Sequence, residues 1–263
     1  CSPGFGSVAK YIATSTLEAG LDVKSMAETS TKVFILEVMG RHAGWIAAAS
    51  CLAATKAGDP PHIILLPEVP FEKSKFITQV KQTVKEQGYC VIVASEGTQT
   101  KNGKFLADSG LTDAFGHKQL GGVAPVLAGM ISKIGLKNHW AVADYLQRSA
   151  RHIASKTDLD QAYAVGEHAV KLAISGKTAL MPIIKRTSDS PYKWKIATAP
   201  LKNVANIEKT MPKKFISKNG FEITQAGKTY LSPLIKGEAP IKYVNGLPDI
   251  AELKKIKVKK KLS

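Results

Sequence analysis

Cysteine is scarce in this 263-residue sequence: there are three, at positions 1, 51 and 90. Widely spaced and odd in number, they make no zinc-ligand pattern and no disulfide framework, so a reducing compartment, the cytoplasm, is the expected setting. Long apolar runs are lacking too. The longest, Trp45 to Ala54, falls far short of the roughly 20 residues that a membrane-crossing helix needs. Nothing built like a secretory signal precedes the first strand, and no membrane partner is expected. The six histidines, at 42, 62, 117, 139, 152 and 168, show no metal-ligand spacing. A Walker A loop and a Gly-x-Ser-x-Gly elbow are both absent.

Acidic residues are outnumbered, 21 Asp and Glu against 37 Lys and Arg, which leaves a formal charge of +16. Such an excess can mark a nucleic-acid binder, but its distribution argues otherwise. Six of the charges are Lys254, Lys255, Lys257, Lys259, Lys260 and Lys261, with no acidic residue among them, and the rest are spread widely. Aromatic residues make up only 7%, and no base-reading module is recognisable. The charge fits a solvated tail plus a site that attracts a small polyanion.

What is present is the make-up of a folded chain, 44% hydrophobic and 22% charged, long enough to bury a large core. There is no initiator methionine. The opening Cys1-Ser2-Pro3-Gly4-Phe5-Gly6 reads as a loop entering a helix, which suggests that the numbering starts inside a longer protein. A helix is expected over 6–21, with Val8, Ile12 and Leu17 on one face and Gly20 at its C-terminal cap. Strands are expected over 32–38, 62–66, 89–94 and 179–184, a strand-like stretch over 140–146 and an edge strand over 193–199. Helices are expected over 44–56, 71–87, 121–134 and 158–175, with Gly88 and Gly176 as stops and Asp158 near an N-cap. Between them, 97–120 is polar and carries the turn signal Asn102-Gly103. The alternation of short apolar strands with longer helices predicts an α/β protein with a parallel, Rossmann-like sheet. From Lys202 onward, Lys, Pro and Gly predict an irregular extension with small helices.

In an open parallel sheet, ligands bind just beyond the carboxyl ends of the strands. Three groups of polar residues fall there. Met39-Gly40-Arg41 combines a residue without a side chain, which lets a ligand approach the backbone, with a planar fork of donors for a phosphate or carboxylate. The bland counterpart is an arginine that closes a strand–helix junction. Glu96 can accept hydrogen bonds from sugar hydroxyls, or can be a helix cap. Tyr145 and Arg148, three residues apart, can converge on one oxyanion, or can be a half-buried ring beside a surface charge. Lys32 lies at the start of the first strand, the end opposite Arg41, where it reads as a solvated charge. Cys90, inside a strand, reads as inert filling.

The stretch Glu37-Val38-Met39-Gly40-Arg41-His42-Ala43-Gly44-Trp45 strongly resembles the phosphofructokinases. Pro3-Gly4-Phe5-Gly6, Pro67-Glu68-Val69-Pro70, Ser95-Glu96-Gly97 and Asp144-Tyr145-Leu146-Gln147-Arg148 carry the resemblance through 1–185. Ile184-Lys185-Arg186 and Ala199-Pro200-Leu201 resemble the pyrophosphate-dependent branch. Tyr145, where ATP-dependent relatives usually have His, and Ser149-Ala150, where they have Gly-Gly, point the same way.

The resemblance implies a phosphofructokinase fold, with a sugar-phosphate-binding portion over 1–185 and an extension with a basic tail over 186–263. It implies that Met39, Gly40, Arg41 and Glu96 hold fructose 6-phosphate and that Tyr145 and Arg148 grip its 6-phosphate. Lys32 would then reach a phosphate in a neighbouring subunit of a homo-oligomer. The family's Gly-Gly-Asp-Gly donor loop and its Thr-Asp-Asn-Asp-type loop, which holds the general base, are not in this sequence; both normally precede the point where it starts. The implied partners are fructose 6-phosphate and, in the intact enzyme, pyrophosphate, with Mg2+ as cofactor on ligands outside this chain. The alternatives are an ATP-dependent phosphofructokinase and a non-catalytic sugar-phosphate-binding or regulatory subunit.

Overall fold

The computed structural model describes residues 2–112, 118–120 and 122–257. Cys1, His117, Gly121 and Lys259 to Lys261 lie outside the described residues. Helix α1 (Phe5–Met26) turns Ala9, Ile12, Ala13, Thr16, Gly20 and Val23 inward, the spacing of one helical face. Gly20 does not cap it. Pro60 packs on the glycine, and a Cβ there would lie 2.5 Å from the proline Cγ, so the missing side chain serves close approach and the helix continues. Leu17, expected to face inward, is 38% exposed.

Strand β1 (Val33–Val38) follows, then α2 (Trp45–Ala49). Where a single helix to Lys56 was expected, the chain tightens into a 3-10 turn at Ser50–Ala53. There the Ser50 hydroxyl donates back to the Ala47 carbonyl at 2.5 Å. Next come β2 (Ile63–Leu65), α3 (Lys73–Gln87), closed by left-handed Gly88, and β3 (Cys90–Ser95). The polar stretch beyond it contains an antiparallel pair, β4 (Asp108–Thr112) with β5 (Lys118–Leu120). Helix α4 (Val123–Ser132) leads to β6 (Asn138–Val142), which starts and ends earlier than the strand expected over 140–146. A short helix, α5 (Leu146–Ser149), begins at the end of that stretch. Then comes α6 (Lys156–Ile174).

Strands β2, β3, β1 and β6 form one sheet in that order, all parallel. The two strands expected after α6 do not join it. They are β7 (Leu180–Asp189) and β8 (Tyr192–Pro200), antiparallel to each other; the turn between them is too short for a parallel crossover. The remaining chain is irregular as expected, with α7 (Gln225–Leu231) its longest helix.

Strands β1, β2 and β3 are covered on both faces, which is why they read as apolar runs, whereas the edge strand β6 is largely exposed. On one face Val33, Ile35, Ile63, Cys90 and Ile92 meet Phe76 and Val80 of α3 and Leu127 and Ile131 of α4. On the other, Leu36, Val38, Ile64 and Val93 meet Ile12 of α1, Ala47 of α2, and Met211, Phe215, Ile223 and Leu231 from the C-terminal segment. Cys51 and Cys90 are buried and free. Burial pushes the Cys51 thiol up to about 12 and raises Cys90 as well.

Two acidic side chains, Asp158 buried and Glu68 half-buried, join segments far apart in the chain. Asp158 lies in the first turn of α6, near the N-cap as expected; the cap itself is Ser155, accepting from the Asp158 N–H at 3.4 Å. The Asp158 carboxylate instead receives the Gly4 and Ser7 N–H groups at 2.8 and 2.9 Å and the Ser7 hydroxyl at 2.6 Å. It thereby caps α1, whose own Gly4 has no side chain for the task. Glu68 accepts from the N–H groups of Gly44, at 3.0 Å, and Met211, at 2.8 Å. It thus fastens the start of α2 to the C-terminal segment.

His62 extends the β2–β3 ladder by one bond. Its Nδ1 accepts the Val91 N–H at 2.9 Å, and its Nε2 lies 3.2 Å from the Gly58 carbonyl oxygen, to which it donates. A proton on Nδ1 would remove that acceptor. Burial holds the imidazole below its ordinary range, opposed by the Gly58 carbonyl and Asp59. Because the folded value lies below the unfolded 6.5, the His62 contribution to stability is present above 6.5 and is lost as pH falls through the folded value. In urea titrations between about pH 7.5 and about pH 5, the stability gap between wild type and His62→Phe should therefore narrow as pH falls. A gap independent of pH would show that His62 titrates alike in both states.

Candidate functional site

Parallel pairing carries three strand ends to one edge of the sheet. Val38 lies opposite Ser95, and Glu37 opposite Val142, so Met39-Gly40-Arg41, Glu96 and the Asp144–Arg148 segment emerge side by side. Lys32 stays at the other end of β1, about 20 Å away at the usual rise of a strand. There its ammonium donates to the Ala27 carbonyl.

The Met39–Arg41 turn is held by its neighbours. The Gly40 N–H donates to Glu96 Oε1 at 3.1 Å, and the Ser95 hydroxyl donates to the Gly40 carbonyl at 2.5 Å. Gly40 has φ 145°. A Cβ on it would lie 2.7 Å from Ser95 Oγ and 2.8 Å from the Ala43 carbonyl oxygen. Gly97 is needed for the same reason: a Cβ there would run into the Arg41 carbonyl. Glu96 thus spends one oxygen on the turn. Its Oε2 accepts no hydrogen bond among the described residues and remains available. The Nε of Arg41 is buried without a partner among the described residues, an uncompensated donor of the kind that a ligand anion would satisfy. His42, just beyond, turns to the surface and meets Glu208 at 2.7 Å.

Tyr145 and Arg148 sit on α5, Tyr145 as its N-cap residue. Both are exposed, Tyr145 at 67%. The Arg148 guanidinium lies 5.4 Å from the Tyr145 ring centroid and pairs with no carboxylate among the described residues. A phenol and a guanidinium side by side, both donors, suit a phosphate oxygen.

Sequence reasoning missed two polar residues beneath this surface. Glu37, 5% exposed, accepts the Ala124 N–H at 2.8 Å and so holds the start of α4. Burial keeps its carboxyl above the ordinary carboxylate range; the nearby Glu96 and Asp144 add to that, and the Ala124 and Val123 N–H groups oppose it. Its signal was a lone charge inside an apolar strand. Gln147, 2% exposed, bonds both to Met39 and to Asp144; nothing local in the sequence marked it. Among the described residues, no three His, Cys, Asp or Glu side chains are grouped to hold a metal ion. No helix of the described residues is long and apolar enough to cross a membrane.

The strand-end turn, the Glu96 carboxylate and the Tyr145–Arg148 pair thus lie together at one edge of a parallel sheet. The phosphofructokinase family model matches residues 1–173, and the chain belongs to that family. Over 262 residues it is 63% identical to a pyrophosphate–fructose 6-phosphate 1-phosphotransferase of Halomonas elongata, a match covering 99% of this chain and 62% of that one. Over 264 residues it is 56% identical to one of Methylococcus capsulatus, covering 100% and 63%. The crystal structure of a pyrophosphate-dependent phosphofructokinase from Marinobacter aquaeolei superposes with a TM-score of 0.89 at 58% identity, covering 100% of this chain and 63% of that one. The chain thus spans less than two thirds of the length of these relatives.

The Gly40 turn yields a direct test. Gly40→Ala should destabilise the protein by about 1–3 kcal/mol, because the new Cβ meets Ser95 and Ala43 in a backbone conformation that alanine disfavours. A urea midpoint equal to that of wild type would show that the turn can shift to accommodate a side chain.

Proposed function

We propose that the full-length protein transfers a phosphoryl group from pyrophosphate to the 1-hydroxyl of fructose 6-phosphate, reversibly, and that this chain carries the sugar-phosphate-binding part over 1–185. The carrying observation is the convergence at one sheet edge of a carboxylate with one oxygen unbonded and a buried guanidinium Nε without an acceptor, both among the described residues, and an exposed Tyr–Arg pair. The relatives that share more than half of its residues bear the name of that activity.

In this reading Glu96 Oε2 accepts a sugar hydroxyl, the Met39-Gly40-Arg41 backbone lies against the sugar, and the Arg41 fork neutralises phosphate charge. The Tyr145 hydroxyl and the Arg148 guanidinium donate to the 6-phosphate. Lys32 serves a phosphate of the neighbouring subunit in a homo-oligomer. The general base and the ligands of Mg2+ lie upstream of Cys1, and magnesium supplies charge neutralisation on the donor when bound. Positioning and electrostatics account for most of the rate in phosphoryl transfer, so the 263-residue chain alone is expected to turn over neither pyrophosphate nor ATP. The protein acts in the cytoplasm.

The test uses the full-length protein with fructose 6-phosphate and either pyrophosphate or ATP, and follows binding of fructose 6-phosphate and of fructose. Turnover is expected with pyrophosphate; turnover with ATP alone would overturn the donor assignment. Arg148→Ala should lose roughly 1.5–3 kcal/mol, about tenfold to a hundredfold in affinity, for the phosphorylated sugar only. Arg148→Lys should recover part of that, because an ammonium cannot reproduce the fork. Equal losses for both sugars would mean that Arg148 supports the fold and does not hold the phosphate.

A further inference from the structure

Gln147 lies between the two residues proposed to grip the 6-phosphate, yet its side chain points away from solvent and is 2% exposed. It spans the gap between two ligand-bearing segments. Its Oε1 accepts the Met39 N–H at 3.4 Å, and its Nε2 donates to the Asp144 carbonyl at 2.9 Å. Each end therefore holds backbone next to a proposed substrate contact: Met39 precedes Gly40-Arg41, and Asp144 precedes Tyr145. Asp144 itself is bent into a left-handed conformation, φ 36°, which residues other than glycine adopt at a cost. The amide that closes on its carbonyl helps to keep it there, and this bend launches the helix that presents Tyr145 and Arg148.

We infer that Gln147 is a positioning residue that fixes the distance between the Met39–Arg41 turn and the Tyr145–Arg148 helix, so that sugar body and 6-phosphate are held at once. The inference rests on the functional reading above. Only a side chain with an acceptor and a donor at its tip can serve both segments. Glutamate keeps the acceptor for Met39 but, ionised, sets an oxygen against the Asp144 carbonyl. Methionine keeps the length and satisfies neither. The 3.4 Å bond is the looser of the two, and catalytic contacts are commonly long until the ligand arrives; it is the one expected to shorten when substrate spans both segments.

The test compares wild type, Gln147→Glu and Gln147→Met in the full-length protein. Both variants should raise KM for fructose 6-phosphate by tenfold or more while KM for pyrophosphate changes less than twofold. In hydrogen exchange the Met39 N–H should lose protection in Gln147→Met and keep it in Gln147→Glu. A general loss of structure would instead move both KM values together, and that result overturns the inference, as does unchanged KM for the sugar phosphate in an active variant. Should one variant fail to fold, the other still decides. Wild type that does not turn over fructose 6-phosphate with pyrophosphate overturns the functional reading and this inference with it. Active wild type with unaffected variants overturns this inference alone.

Discussion

Parallel hydrogen bonding on both sides of β1 is the constraint from which the rest follows. With β3 on one flank and β6 on the other, in register from Val33 to Glu37, all three strands must end on the same edge. Both faces of the sheet must also be covered, because every connection returns over one of them. Apolar side chains fill the two faces, so the polar groups that carry chemistry are left to the edge. Gly40, Glu96 and Asp144–Arg148 are neighbours for that reason, although Gly40 and Glu96 are 56 positions apart in the chain and Asp144 lies further on still.

The turn at that edge has little freedom. Gly40 is held by Glu96 below and by Ser95 beside it, and Gly97 lies flat against Arg41. Three backbone-level contacts thus decide where the Arg41 side chain leaves the chain. Among the described residues, this arrangement leaves one carboxylate oxygen and one guanidinium nitrogen without partners, the kind of cost that folded proteins tolerate at binding sites.

The parts legible in the sequence were those set by local pattern. Strands β1, β2 and β3 announced themselves as apolar runs, β6 only as a strand-like stretch displaced from its real position, and α3 as an amphipathic stretch ended by Gly88. The turn after β1 was marked by Gly40-Arg41. What was not legible depends on segments meeting across the chain. Gly20 looked like a stop until Pro60 was found against it. The β7–β8 ribbon looked like more of the parallel sheet, because a short apolar run does not declare its partner. The irregular composition after Lys202 gave no sign that Met211, Phe215, Ile223 and Leu231 would close one face of the core. Gln147, Glu68 and Asp158 are ordinary polar residues by sequence, and only the fold shows which distant N–H groups they satisfy. The exception is Glu37, whose charge within an apolar strand was a readable anomaly.

Asp158 has an implication for how the molecule opens. Its carboxylate holds the first amides of α1, while its own backbone belongs to the first turn of α6, so neither helix end can fray without releasing the other. Local openings that elsewhere would be independent are here a single event, with a single free energy shared by two segments about 150 residues apart in the chain. Since α1 also packs beneath the sheet against Leu36 and Val38 through Ile12, that event reaches the underside of the strand that ends in Gly40. The start of α1 is thus linked through packing to the strand that ends in Gly40.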